Sequence, residues 1–149
     1  MVKTLILTHG GLATELLKAA RTIVGELGPD FEAVTLEWDD SFEVALEKAK
    51  QALKRMSSTN GTLILTDMYG GTPYNVASSL RDPGKIEVVT GVNLPMVVRL
   101  GCPGATERSL EGLATWIQKK AKGSIRRAGE GNGSNPLEGA KCEDDRKRG

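Results

Sequence analysis

Apolar residues along the chain alternate between short β-branched runs and longer stretches with a helical period. The short runs predict four strands, at residues 2–8, 31–36, 62–66 and 86–90. The longer stretches predict helices that begin near residues 12, 40 and 74, and two more over residues 94–100 and about 106–122. Strands that alternate with helices are typical of a parallel sheet covered on both faces. We therefore expect an α/β, doubly wound fold in which a mostly parallel sheet has helices on both faces.

Spacings of three and four residues predict which side of each helix is buried. The first helix has such a stripe at Leu12, Leu16, Ala20, Ile23 and Leu27. The second has one at Phe42, Leu46, Ala49, Leu53 and Met56, and the last at Leu110, Leu113, Ile117 and Ala121.

Local signals predict where two of the helices begin. Asp40 followed by Glu43 resembles a capping box at the start of the second helix. Thr72 suits an N-cap and Pro73 the first helical position, which predicts that the third helix starts near Tyr74.

The character of the sequence changes after residue 122. Residues 123–127 are a candidate fifth, antiparallel edge strand, whereas residues 129–149 are Gly, Asn, Ser, Pro and mixed charge with little to bury. We expect one domain over residues 1–128 and a disordered tail over residues 129–149.

Composition narrows the classes of function. The 149 residues carry a formal net charge of +1 and only 4% aromatic residues, which argues against a nucleic-acid-binding surface. Cys102 and Cys142 form no paired motif, and one histidine cannot complete a zinc site. No leader segment and no membrane-spanning run is evident. We expect a cytoplasmic protein without a metal or another cofactor.

The single histidine, His9, follows the first predicted strand, and Asp67 follows the third. In a flavodoxin-like strand order, 2-1-3-4, these strands are neighbours about 4.8 Å apart, so their carboxyl ends meet at the same edge. The Asp67 carboxylate can then accept the Nδ1 proton of His9 and leave Nε2 as the exposed nucleophile. The sequence predicts His9 and Asp67 as a catalytic pair.

Glycines and a hydroxyl surround this pair. Gly10 and Gly11 precede one helix, and Gly70, Gly71 and Thr72 precede another, so backbone amides can form an anion site there. Neither a Walker A motif nor a dinucleotide-binding glycine motif is present, and the two loops contain no lysine. These features favour a site that accepts a phosphoryl group on an imidazole and passes it on, although an acid–base enzyme with the same pair remains an alternative.

Three segments together resemble the mannose-family IIA component of the bacterial sugar phosphotransferase system. They run from Leu7 to Ala13, from Thr66 to Ala77 and from Thr90 to Met96, in the order in which the family has them. The resemblance covers residues 1–122. The IIA-like subunit of the dihydroxyacetone-kinase phosphotransferase has a similar first motif, but the sequence Gly-Gly-Thr-Pro-Tyr-Asn favours the mannose type.

The resemblance implies that His9 takes a phosphoryl group from the phosphocarrier HPr and gives it to a IIB component, which serves membrane IIC and IID components during sugar uptake. It places the family's phosphorylated histidine at His9, its partner at Asp67 and its phosphate-binding hydroxyl, commonly serine, at Thr72. It also implies a homodimer that exchanges a C-terminal strand, for which Ile125 and its neighbours are the candidates. The short tail suggests a stand-alone IIA protein. A regulatory protein that uses the same phosphohistidine to report to a partner is the other interpretation.

Overall fold

The computed structural model describes residues 1–27 and 30–130, and four strands and five α-helices alternate along them. The strands are β1 (Lys3–His9), β2 (Phe31–Leu36), β3 (Thr62–Thr66) and β4 (Ile86–Thr90). The helices are α1 (Leu12–Val24), α2 (Phe42–Met56), α3 (Thr72–Leu80), α4 (Leu94–Leu100) and α5 (Leu110–Ser124), with a short 3-10 helix at Ala105–Glu107 before α5. The alternation read from the sequence is confirmed.

All strand pairs in the sheet are parallel, and the strand order is β2-β1-β3-β4. This is the expected doubly wound order, in which β2 lies on one side of β1 and the later strands, β3 and β4, lie on the other. The register pairs His9 with Leu36 of β2, and Leu7 with Thr66 of β3. The carboxyl ends of β1 and β3 therefore lie side by side at the point where the direction of winding reverses.

The core consists of two layers, one on each face of the sheet. Successive residues of β1 point to opposite faces, so Ile6 packs with α1, α4 and α5 while Leu5 and Leu7 pack with α2 and α3. The central strands β1 and β3 are buried on both faces, which explains their nearly continuous apolar sequences.

The predicted buried stripes of α1 and α2 are confirmed at Ala20, Leu27, Ala49 and Met56. Elsewhere the buried residue is often the neighbour of the predicted one. In α1 the buried residues are Ala13, Leu17 and Ala20, whereas Leu12 is 45% exposed and Ile23 is 49% exposed. In α2, likewise, three alanines face the sheet and Phe42 lies at the surface. Small side chains allow these helices to lie close to the sheet. The prediction from the sequence favoured larger apolar residues at neighbouring positions, because it counts apolar character and not the space between helix and sheet.

The predicted starts of three helices are corrected in the structure. Ser41, not Asp40, caps α2, since its hydroxyl accepts the amide of Val44 at 3.2 Å. Gly71 is the N-cap of α3, so Thr72 is the first helical residue rather than the cap. The last helix begins four residues later than predicted, because Ser109 caps it after the 3-10 helix.

Within the described residues the sheet has four strands. Residues 123 and 124 are the last of α5, and residues 125–127 form no strand, so the candidate fifth strand is not observed there. Apart from its first two residues, the segment expected to be disordered (129–149) lies outside the described residues, and the division at residue 128 stays a prediction. Over residues 1–27 and 30–130, no helix has both the length and the apolar character that a membrane crossing requires.

Gly61 offers a direct test of how β3 is joined to the sheet. Its φ is +91°, and an added Cβ would lie 3.0 Å from the carbonyl oxygen of Lys85 and 2.8 Å from a methyl group of Leu110. We expect Gly61→Ala to lower the free energy of unfolding by about 1–3 kcal/mol, since both the backbone angle and the contacts oppose it. Chemical denaturation measures the change.

The matched control is Gly123→Ala in α5, where an added Cβ meets nothing within 4 Å. Alanine is the better helix former, so this variant should be unchanged or more stable by up to about 1 kcal/mol. Equal stability of the two variants would show that the junction at residue 61 tolerates a side chain.

Candidate functional site

His9 is the last residue of β1, and Asp67 is the first residue after β3. The parallel pairing of these strands brings the two side chains together, as the sequence predicted. Nδ1 of His9 lies 2.7 Å from Oδ2 of Asp67. The side chains are only 21% and 12% exposed, so the pair is partly shielded from water.

The Asp67 carboxylate is held by three hydrogen bonds. Oδ2 accepts the backbone amide of His9 at 3.0 Å as well as the hydrogen on Nδ1, and Oδ1 accepts the amide of Met68 at 3.0 Å. An ionised carboxylate only accepts hydrogen bonds, so Nδ1 carries the hydrogen and the lone pair is on Nε2. No hydrogen bond from the described residues occupies Nε2, which leaves it available as a nucleophile.

Gly71 lies directly against the other side of the imidazole. A Cβ at this position would be 2.8 Å from Cε1 and 3.4 Å from Nε2 of His9. Only a glycine permits this approach, which brings the start of α3 next to Nε2. Because Gly71 is the N-cap, the amides of Thr72 and Tyr74 belong to the first turn of α3, where no helical carbonyl is available to them. The positive end of the helix thus lies beside the nucleophile.

The other predicted anion-site residues occupy both loops. Gly70 precedes Gly71 in the loop after β3, and Thr72 is half-buried, with a hydroxyl that makes no hydrogen bond to the described residues. Gly11 is the N-cap of α1. The amide of Gly10 donates to the carbonyl of Leu36 at 2.9 Å and is therefore already used in joining β1 to β2. The contribution of Gly10 is its φ of +52°, which turns the chain directly after His9.

Thr8 holds the start of α1 against the end of β1. Its buried hydroxyl accepts the amide of Ala13 at 2.8 Å, a capping bond from inside the preceding strand. The third sequence segment has a similar structural role at the end of β4. The amide of Val92 donates to the carbonyl of Thr66 at 2.9 Å, and Asn93 caps α4 by accepting the amide of Met96 at 3.0 Å.

Trp38 is a site residue that the sequence reasoning missed. Its indole stacks on the His9 imidazole with 5.1 Å between ring centroids and 19° between planes, yet the residue is 81% exposed. A signal was available, because the end of β2 is adjacent to His9 in the expected strand order. A residue just beyond that strand can reach over the imidazole, but its direction depends on the turn that follows.

That turn is held by Asp40. Its Oδ2 accepts the amide of Glu37 at 2.9 Å and pairs with the Lys48 ammonium at 2.6 Å. The hydrogen bond from Lys48, followed by that from the Glu37 amide, lowers the pKa of the Asp40 carboxyl below its ordinary value. Asp40 therefore fixes the segment that carries Trp38 rather than capping α2.

Large apolar side chains are exposed on the segments that follow β1, β2 and β3 at the edge of the sheet where His9 lies. They come from three elements, namely the start of α1 and the segments after β2 and β3: Leu12, Trp38, Met68 and Tyr69. Exposed apolar surface beside a reactive group suits contact with a protein partner. Among the residues that the structure describes, no group of three or more His, Cys, Asp or Glu side chains is placed to hold a metal ion.

Comparison with known proteins gives one consistent result. Residues 3–115 match the family described as the fructose IIA component of the phosphotransferase system. The chain is 37% identical over 97 residues to the mannose-specific EIIAB component of Escherichia coli K12, a match that spans 61% of this chain but only 28% of that protein. It is 32% identical over 101 residues to the fructose-specific EIIA component of Bacillus subtilis, covering 67% of this chain and 68% of the relative.

A solved structure supports the same likeness. The mannose/sorbose-specific IIA subunit from Enterococcus faecalis superimposes with a TM-score of 0.78 at 27% identity, over 89% of this chain and 98% of that one. The four-stranded sheet and its helices are therefore an arrangement shared with IIA proteins.

The contact between Gly71 and His9 can be tested without any assay of activity. We expect Gly71→Ala to displace the imidazole, because Asp67 and Trp38 leave the ring little room to move away from a new methyl group. His9 is the only histidine, so its ring signals in a proton NMR spectrum are unambiguous and should shift clearly. Gly11→Ala is the control, since nothing lies within 4 Å of its added Cβ. Similar spectra for the two variants would contradict the close approach.

Proposed function

The chain belongs to the family of phosphotransferase-system fructose IIA components, and on that premise we propose that it is a phosphoryl carrier whose acceptor atom is Nε2 of His9. The observation that supports this most is the 2.7 Å hydrogen bond from Nδ1 to Asp67, because it directs the second nitrogen outward as a lone pair. An acid–base enzyme would need the same pair, but family membership favours phosphoryl transfer.

The proposed transfer is a direct exchange between two nitrogens. The lone pair of Nε2 attacks the phosphorus of a donor phosphohistidine, the donor N–P bond breaks, and the donor nitrogen keeps the bonding electrons. A new N–P bond forms at His9. Because Nδ1 keeps its hydrogen, the His9 ring becomes positively charged, and the Asp67 carboxylate stabilises that charge through the hydrogen bond already present. Onward transfer reverses these changes.

We assign the anion site to the start of α3. The phosphoryl group on Nε2 would lie beside Gly71, with the amides of Thr72 and Tyr74 and the hydroxyl of Thr72 as donors. Gly70 and the glycines before α1 shape the two loops. This cradle uses neither a metal ion nor a nucleotide.

The proposed donor is HPr and the proposed acceptor is a IIB component, with IIC and IID components further along in sugar uptake. The exposed apolar side chains around His9 support contact with proteins rather than with a free small molecule. Both partners would meet the chain in the cytoplasm. A regulatory role would use the same site and differs only in the protein that contacts the phosphorylated form.

We also propose that the protein forms a homodimer. Ile125, just after α5, is 80% exposed and belongs to no strand in the single chain. Pairing of this segment with a second copy would cover it, as an exchanged strand does.

Replacement of the nucleophile is the primary test. We expect His9→Ala to take up no label when incubated with radioactive phosphoenolpyruvate, enzyme I and HPr, because no other imidazole is present. Circular dichroism should show an unchanged fold, since His9 lies at the end of its strand. Label retained by this variant, or no label on the wild-type protein, would contradict the proposed carrier.

Replacement of the carboxylate tests the role of the pair. A hydrogen bond to a charged group contributes about 1.5–3 kcal/mol, so Asp67→Ala should slow labelling about 10- to 100-fold without abolishing it. Rapid-quench measurement of label transfer from phospho-HPr gives the rate. Glu15→Ala, on the exposed side of α1, is the control and should transfer at the wild-type rate. An unchanged rate in Asp67→Ala would show that the hydrogen bond plays no part in transfer.

A further inference from the structure

Trp38 stacks on one face of the His9 imidazole, although its own side chain remains exposed to water. Its ring centroid is 5.1 Å from that of His9, the planes are nearly parallel, and most of the indole remains in contact with water. An exposed tryptophan gains little from packing, so its fixed position over a reactive ring requires another explanation. The turn held by Asp40 and Lys48 keeps it in this place.

The charge of the His9 ring changes during the proposed reaction. The tautomer that carries a lone pair on Nε2 and hydrogen on Nδ1 is neutral, whereas a ring that bears phosphorus on Nε2 and hydrogen on Nδ1 is positively charged. The face of an indole attracts a cation within about 6 Å of its centroid, and it has much less effect on a neutral ring. The stacking distance falls inside this limit.

We propose that Trp38 stabilises the phosphorylated form of His9 selectively, through a cation–π interaction with the phosphoimidazolium ring. This inference rests on the proposed function. Asp67 stabilises the same charge in the plane of the ring, and Trp38 does so from its face. The phosphoryl-transfer potential of His9 is therefore set partly by a residue outside the two loops that hold the nucleophile and the carboxylate.

The equilibrium of transfer distinguishes this role from docking. In the overall reaction, phospho-HPr and this protein are converted to HPr and the phosphorylated form of this protein. The equilibrium constant of that reaction does not depend on how tightly the two proteins bind each other in the complex. A tryptophan that only contacted the partner would change rates and leave the constant as it was. A tryptophan that stabilises the cation must change the constant.

The experiment uses purified phospho-HPr, separated from enzyme I, mixed with the full chain until the label is distributed between the two proteins. We expect Trp38→Ala and Trp38→Leu to shift the equilibrium constant about two- to fivefold towards phospho-HPr, the range for a cation–π contact at an exposed site. Trp38→Phe should fall between them and the wild-type protein. Trp116→Phe, which replaces the tryptophan stacked under Arg108, is the control and should leave the constant unchanged.

Two results would overturn this inference and leave the proposed function standing. One is a wild-type constant in Trp38→Ala, and the other is a wild-type constant in Trp38→Leu, which would mean that an apolar cover suffices. If the wild-type protein takes no label, the proposed function fails as well, and the two failures are thereby distinguished.

The stacking itself is measured separately, on the unphosphorylated protein. In the wild-type protein the indole should shift the carbon-bound His9 ring protons upfield, and Trp38→Leu should remove this ring-current shift. Identical His9 signals in these two proteins would show that the rings do not stack in solution, and would also overturn the inference.

Discussion

The hydrogen bond between His9 and Asp67 is the interaction on which the site depends. It joins residues 58 positions apart in the chain and forms because β1 and β3 are adjacent in a parallel sheet. One carboxylate oxygen accepts both the ring hydrogen and the backbone amide of the same histidine. The position of the main chain and the orientation of the ring are thus fixed together, and Nε2, the proposed acceptor atom, has a defined direction.

Each surrounding element fixes one further aspect of the imidazole. Gly71 brings the start of α3 within contact distance of its edge, and Trp38 covers a face. Thr8, one residue before His9, ties α1 to the end of β1. Thr8 lies near the end of β1, and Trp38 and Gly71 lie just after the ends of β2 and β3, so all three contacts converge at the carboxyl edge of the sheet. The sheet therefore holds an imidazole that is itself partly open to water, which is compatible with the proposed transfer between two proteins.

The same arrangement explains why the site needs so few charged groups. In the proposed transfer, a phosphoryl group on Nε2 would lie beside the start of α3, whose positive end can offset part of its charge. The exposed apolar residues near His9 would contact a docked protein partner, and such a partner would exclude water from the site. The proposed transfer chemistry and the proposed surface for a partner thus share one edge of the fold.

The sequence by itself determined the alternation of strands and helices, because that follows from local periodicity. The pairing of His9 with Asp67 followed once a flavodoxin-like strand order was adopted, since that order places the ends of the first and third strands side by side. Three segments of the sequence also pointed to the family that the comparisons support. The sequence placed Ala20 and Leu27 in the core correctly but missed Ala13 and Leu17, because the exact face of α1 that is buried depends on how the helix lies against the sheet. Nor did it reveal Trp38, whose position depends on a turn set by Asp40 and Lys48, eight residues apart. Contacts of that kind arise only when separate elements pack together, so they were decided by the tertiary structure.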